Sequence, residues 1–280
     1  MPSWSSLEKY ADKYRIAKLS RTDDGVLTAQ LHTDGGPLQW GVDDDDETDL
    51  ADLFADIAQD PDNRAVILTG TGDSFIAQSV TGHSSRYHSP ETFEASFRFQ
   101  RRLHANLLDI EAPIIAAVNG PALIHSELAL MCDVVLAAEN TVFQDKPHFS
   151  AGIPPGDGVQ LVYTALLGPT RAKYFLLTGQ EIDAQQALAL GMVNEVLAAD
   201  QLLERARELA DLIVARPPLT VRYTRRVINA DLRRVFHAEF DHGLALEALA
   251  IVQLRGWRQH FGGEPPEWVR PSYDETGGRR

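Results

Sequence analysis

Two rhythms of apolar residues alternate along this chain. Short unbroken apolar runs stand at residues 65–69 (AVILT), 114–118 (IIAAV) and 134–138 (VVLAA). Runs of this length without polar alternation predict strands buried on both faces. Gly70 ends the first and Asn119-Gly120-Pro121 halts the second. Between the runs, the spacing of Leu50, Leu53, Phe54 and Ile57, and then of Phe93, Phe97, Leu103, Leu107 and Leu108, predicts helices with one apolar face. A further helix is predicted over residues 126–131. The order is strand, helix, strand, helix, strand, which right-handed crossovers turn into an α/β core.

The flanks extend that core. Residues 1–15 predict a short surface helix, and residues 14–19 and 26–32 a hairpin around Asp23-Asp24-Gly25. Residues 71–82 predict a loop. Helices are predicted over 159–167 and 169–178, joined at Gly168-Pro169, and over 184–190, stopped by Gly191. A short strand is predicted at 193–196. From Leu202 the pattern is helical, with a break at Arg216-Pro217-Pro218, and residues 263–280 predict an irregular tail. No tandem repeat or linker divides the chain.

Charge narrows the partners. A net charge of −14 opposes nucleic acid and anionic lipid. Cys132 is the single cysteine, so no intrachain disulfide forms, and no apolar run approaches the roughly 20 residues of a membrane span. The expectation is a soluble cytoplasmic protein. The acidic run 43–47 (DDDDE) reads as a solvated helix start, since acids suit the positive end of a helix dipole and the run has no ligand geometry. G-x-S-x-G, H-E-x-x-H, paired C-x-x-C, the Walker A pattern and a complete G-x-G-x-x-G are all absent. Nothing in the motifs requires a metal or cofactor.

Candidate chemistry gathers in residues 119–158, which hold His125, His148 and Asp157 around a buried-looking strand. Spacing alone leaves two readings open for each. His148 is a surface-loop histidine or a base, and His125 a helix-start packing residue or a donor. A glutamate such as Glu247 is usually solvated, and a tryptophan such as Trp40 is usually core. The remaining histidines, His104 among them, read as structural or surface, with His83 and His88 placed near a pocket mouth. Arg225, Arg226, Arg233 and Arg234 read as solvated helix faces.

Four blocks change that balance. AVILTGTGDSFIAQ, PIIAAVNGPALIHSELALMCDVVLAAENTVFQ, GIPPGDG and YFLLTGQEIDAQQALALGMVNEVL, in this order between about residues 15 and 230, resemble the crotonase (enoyl-CoA hydratase/isomerase) superfamily. The resemblance implies an α/β spiral of repeated ββα units over residues 1–200, a helical trimerisation region over 201–262, and trimers or dimers of trimers. It also implies an enolate held by two backbone N–H groups, one near Ala77 and Gln78, the other near Ile124 and His125. Each such donor, preorganised in a dry site, is worth about 3–4 kcal/mol.

Departures from the superfamily pattern matter as much. Ile124-His125 stands where CoA-thioester members carry Gly-Gly, and Ser79-Val80 where they carry Ala-Asp. The first hydratase glutamate is Glu127, but the second position holds Pro147-His148. With IHSE, DKPHF and PGDG, these departures are similar to a branch of β-diketone hydrolases of the 6-oxocamphor hydrolase type, although Lys146 replaces a glycine. That resemblance implies retro-Claisen cleavage of a C–C bond between two carbonyls, without CoA or cofactor. It assigns catalysis to His148, Asp157, His125 and Glu247, and substrate contact to Trp40, Ala77, Gln78 and Ile124. Asp157 would fix the tautomer of His148, and the pair would activate water. The partners implied are a small diketone, water and further copies of the chain. A CoA-thioester hydratase or isomerase, and a catalytically silent scaffold, are the alternatives.

Overall fold

The computed structural model describes residues 5–41, 46–79 and 90–260. A short helix α1 (Leu7–Tyr10) precedes the hairpin β1 (Ala17–Arg21) and β2 (Val26–Leu31), which pair antiparallel. After β2 the chain repeats one unit. A strand enters a large sheet, a second short strand enters a smaller layer, and a helix returns. The units are β2, β3 (Gln39–Trp40) and α2 (Asp46–Gln59); then β4 (Ala65–Thr69), β5 (Gln78–Ser79) and α3 (Pro90–Asp109). Next come β6 (Ile114–Val118), a one-residue bridge at Ala122 and α4 (Ser126–Leu130). The last is β7 (Val134–Ala138), β8 (Val142–Phe143) and α5 (Val159–Thr178). This is the spiral of ββα turns that the resemblance implied.

The large sheet runs β1-β2-β4-β6-β7-β10, parallel from β2 onward, with β10 at Glu195–Leu197. Bridges from Ile76 to Ala122 and from Ala122 to Phe143 link the short pairs β3–β5 and β8–β9 (Ile182–Asp183) into the second layer. Helix α6 (Ala184–Ala189) starts at a capping box on Asp183. Inside α5, Gly168 leaves the helical region, so the predicted joint at Gly168-Pro169 is real. The strand expected at 193–196 forms two residues later.

The continuous apolar strands have covers on both sides. Val66, Leu68, Ala116 and Val118 face the main core, while Ala65, Ile67, Ile115 and Ala117 face the other way. That outer face is closed by α7 (Leu202–Val214), whose Leu202, Ala206, Ala210 and Val214 recur every four residues and pack on it. A boundary at residue 200 therefore falls inside a packed layer: α7 belongs to the core. Truncating Leu202 would cost about 2–5 kcal/mol.

Helix α8 (Pro218–Ile228) corrects the reading of its arginines. Arg225 is 2% exposed. Its Nε donates to Asp133 Oδ2 at 2.6 Å, and its guanidinium also reaches the Leu108 and Ile110 carbonyls. Asn229 and the Ile114 amide complete the bonding of Asp133. Arg233 donates to the Leu108 carbonyl and to Asp109. Arg226 and Arg234 stay on the surface as expected. Helix α9 (Ala230–His260) then packs back over α3 and α5. Among the described residues no helix is long and apolar enough to cross a membrane. Residues 42–45, most of the acidic run, lie outside the described residues, as do His83, His88 and the 263–280 tail.

Candidate active site

Five separate elements deliver the polar cluster. Trp40 ends β3 and is 2% exposed. His125 stands at the start of α4 with φ +46, a left-handed conformation rare for a residue with a side chain. Such strain costs on the order of 1–3 kcal/mol and turns the imidazole inward against Trp40, with ring centroids 4.6 Å apart. His148 lies in the loop after β8, just before a single 3₁₀ turn. Asp157 lies in the Gly-rich turn before α5. Glu247 comes from α9, far away in sequence.

Close backbone contact seats Glu247. A Cβ on Gly156 would meet the Gly243 carbonyl at 2.3 Å, and one on Gly243 would meet Gln160 at 2.4 Å. Only glycines allow α9 to lie this near the PGDG turn. Glu247, one helical turn beyond Gly243, accepts a hydrogen bond from the Gly156 backbone.

The distances define one continuous cluster. His148 Nε2 is 3.4 Å from Asp157 Oδ2 and 3.9 Å from Glu247 Oε2. His125 Nδ1 is 2.9 Å from Glu127 Oε1 and 3.8 Å from Asp157 Oδ2. All of these side chains are at most 6% exposed. His148, Asp157, His125, Glu247 and Trp40, named from sequence, therefore come together. Asp157 pairs with His148 as expected, but at Nε2, so it is not the group that fixes the tautomer. Asp145 Oδ1, at 2.6 Å, takes the Nδ1 hydrogen, and Asp157 faces the opposite ring nitrogen. Asp145 fixes the tautomer, because a ring nitrogen beside a carboxylate carries the proton.

The backbone donors fare differently. The Ile124 amide donates to the Ile76 carbonyl at 3.1 Å, so it is already engaged. Ala77 is half-buried and Gln78 exposed at the start of β5, and no described contact joins either to the histidines.

Sequence reasoning missed two buried partners. Asp145 sits three residues before His148 inside the DKPHF block, a spacing that could have flagged it. His104, read as structural or surface, binds Glu127 Oε1 through Nε2 at 3.2 Å. Its only sequence signal was a polar residue on the apolar face of α3. Glu127 is likewise no ordinary first-turn acid, being 1% exposed between two histidines.

Charge in this dry space is set by pairing. Burial pushes the His148 imidazole down, but Asp145 and Asp157 on its two sides overcome this and hold it well above its usual range. Burial opposes ionisation of Asp157 too, yet His148, His125 and His104 keep its carboxyl well below the ordinary range. Burial disfavours a charged Glu127 in the same way, and His125 and His104 pull it below the usual value. Glu247 behaves differently. Burial pushes it up to about 8, and the pull of His148 does not offset that.

Several atoms here lack partners. His148 Nε2, Asp157 Oδ1, Glu247 Oε2 and Trp40 Nε1 are buried without a hydrogen bond. Unmet buried groups cost about 1–3 kcal/mol each, so they mark a place built for a visiting molecule. The ligand atoms of His148, Asp157 and Glu247 lie within 4.8 Å of one another and can hold a cation or a water. An open cleft of about 690 Å³ lies at the opposite end of β2 and β4. Its arginines Arg21, Arg64 and Arg222 are engaged by Asp60 and by carbonyls of Val214 and Pro61.

Comparison with known proteins identifies the family. Residues 42–248 match the family model of enoyl-CoA hydratase/isomerase. The short-chain-enoyl-CoA hydratase of Clostridium acetobutylicum is 33% identical over 71% of this chain and 75% of its own length. The carnitinyl-CoA dehydratase of Citrobacter koseri is 31% identical over 69% and 74%. Among solved structures, a β-diketone hydrolase from the cyanobacterium Anabaena sp., bound to (S)-3-oxocyclohexyl acetic acid, is 41% identical. It superposes with a TM-score of 0.85, covering 88% of this chain and 98% of that one. An enoyl-CoA hydratase/isomerase from Mycobacterium paratuberculosis is 30% identical with a TM-score of 0.76, over 85% and 94%.

Proposed function

The chain belongs to the enoyl-CoA hydratase/isomerase family, the crotonase superfamily of enzymes, and from that premise we propose that it is a CoA-independent β-diketone hydrolase. One observation carries the proposal: ligand atoms of His148, Asp157 and Glu247 lie within 4.8 Å of one another, with His148 Nε2 and Glu247 Oε2 buried without a hydrogen bond, next to a His125 ring that packs on Trp40. A hydratase acting on a CoA thioester uses two glutamates on its water; here an imidazole braced by Asp145 takes the second place. The likeness to the Anabaena hydrolase supports the same reading. That protein's bound molecule is a cyclic ketone with an acetate arm, the kind of product that hydrolytic opening of a bicyclic 1,3-diketone yields.

The mechanism follows from proton accounting. A water sits among His148 Nε2, Asp157 and Glu247. The cluster must have room for one proton, and the titration of Glu247 near 8 supplies it. His148 and Glu247 then share a single proton, and the pair rather than either residue titrates. Water gives its proton to His148 Nε2, and Asp145 and Asp157 stabilise the imidazolium that forms. The oxygen attacks one carbonyl of the diketone. The C–C bond breaks, and its electron pair moves onto the second carbonyl as an enolate. Trp40 Nε1–H and His125 donate to that oxygen. A proton delivered to carbon from the cluster gives the keto acid and restores the site. No external cofactor enters, because the second carbonyl is the electron sink.

The assembly implied by the resemblance, a homotrimer or dimer of trimers, is part of the proposal. Exposed Tyr174 and Leu177 on α5 and Leu246, Leu249 and Val252 on α9 give a copy of the chain apolar surface to cover. Light scattering reads it.

The test is a screen of cyclic 1,3-diketones in water, following loss of diketone absorbance and isolating the ring-opened keto acid. His148→Ala should abolish turnover with circular dichroism and particle size unchanged. Hydration of a CoA thioester, with no diketone consumed, would overturn the proposal.

A further inference from the structure

His104 takes no part in the chemistry above, yet it is 1% exposed and lies against the site. Its Nδ1 is 2.9 Å from the Gln100 carbonyl one turn earlier on α3, and its Nε2 is 3.2 Å from Glu127 Oε1. A carbonyl oxygen only accepts, so Nδ1 carries a hydrogen. A neutral imidazole protonated there would turn a bare lone pair toward the carboxylate. The contact is attractive only when one further proton lies between Nε2 and Oε1. The His104–Glu127 pair is therefore neutral as a unit.

The surroundings suit a cation. Phe236 and Phe240 of α9 flank the ring at 5.5 and 5.1 Å, and aromatic faces attract positive charge. The ring also reaches the turn that carries Asp157. A Cβ at Gly158, where φ is +111, would come within 3.1 Å of His104 Nε2. Glu127 Oε1 thus lies between two imidazoles, since His125 Nδ1 approaches the same oxygen at 2.9 Å.

We propose that His104 is a positioning residue for His125. It holds the Glu127 carboxylate in place and matches its charge. Glu127 can then fix the Nδ1 hydrogen of His125 without also locking that ring as a permanent imidazolium. With an unmatched carboxylate alongside, His125 would bind its second proton too firmly to adjust as the enolate forms and is quenched. The groups facing the relay are His125 and Glu127 of α4, Asp157 on the turn before α5, and the two phenylalanines of α9, with His148 beyond Asp157. The inference deepens the hydrolase reading and rests on it for the role of His125.

Nitrogen NMR of ¹⁵N-histidine-labelled full-length protein tests it, with His125 assigned by its loss in His125→Ala. In the wild type, His104 Nδ1 should read as protonated, donating to the Gln100 carbonyl. In His104→Gln, the pH at which His125 sheds its second proton should rise by about one unit. The same variant should lose about tenfold in kcat with KM within about twofold, and its pH profile should move the same way. Glu127→Gln supplies a second arm, in which the His104 Nε2 shift should move because the carboxylate facing it is gone. An unmoved His125 titration in folded His104→Gln, or an unchanged His104 in Glu127→Gln, overturns the proposal. The NMR arms need no substrate, so absence of diketone turnover would sink the hydrolase reading while the histidine relay is still decided.

Discussion

Glu247 offers a measurement in which magnitude and sign both follow from burial. In the unfolded chain its carboxyl loses its proton near 4.5; in the folded protein burial holds that proton up to about 8. Between those values the unfolded state binds fewer protons, so this group makes folding stability fall as pH rises. Each pH unit in the window costs about 1.4 kcal/mol, and the whole window on the order of 5 kcal/mol. The substitution Glu247→Gln keeps the shape of the protonated acid and cannot ionise. Its stability relative to wild type should start near zero around pH 4.5 and climb through the window, levelling off above about pH 8. Urea denaturation of both proteins at matched concentration, at several pH values from 5 to 8.5, reads this directly. Concentration is held fixed because the proposed self-assembly would add to apparent stability. Parallel stability curves across that range would refute the claim that Glu247 is held protonated by its surroundings. The same carboxyl should appear in turnover: kcat/KM should rise through an apparent pKa near 8, and Glu247→Gln should erase that limb.

Other outcomes follow from the same geometry. Trp40→Phe keeps the packing against His125 but removes the unpartnered N–H, so kcat for diketone cleavage should fall about 10²–10³-fold with little change in folding. Gly243→Ala forces a methyl group into Gly156 and Gln160; we expect a loss of about 1–3 kcal/mol by denaturation and a larger proportional loss of kcat as Glu247 withdraws. Under the proposed diketone cleavage, treatment with EDTA should leave turnover unchanged, since the substrate's own carbonyl accepts the electrons. A loss of activity that zinc restores would mean the His148, Asp157 and Glu247 triad works as a metal centre instead.

Much of the fold was legible because its signals are local. The runs AVILT, IIAAV and VVLAA became the central strands β4, β6 and β7 at the expected residues, since only a strand covered on both faces tolerates four or five consecutive buried positions. The break at Gly168-Pro169 was equally plain, because proline cannot continue a helix without disturbing the turn before it. Arg225 was misread for the opposite reason. A basic residue on an amphipathic helix looks solvated until a buried acid arrives from elsewhere, and Asp133 lies 92 residues away. The identity of α7 as part of the core was hidden too, because its small apolar stripe gives no hint of which surface it meets.

The site divides along the same line. By itself the sequence determined which residue types were on hand: two histidines and an acid within forty residues, the glycines of PGDG, and a family pattern whose glutamate had become His148. It also determined the covalent nearness of Asp145 to His148 and of Glu127 to His125, through short spacings that any fold would keep. Which carboxylate serves which nitrogen was decided only in three dimensions. Asp157, nine residues from His148, proved to face Nε2, while Asp145 took Nδ1. Glu247, Trp40 and His104 joined through packing of α9, β3 and α3. Their protons are settled by burial and by the charges that packing brings near. A linear chain holds neither quantity: desolvation and electrostatic pairing depend on distances between segments, and those exist only once the spiral has closed.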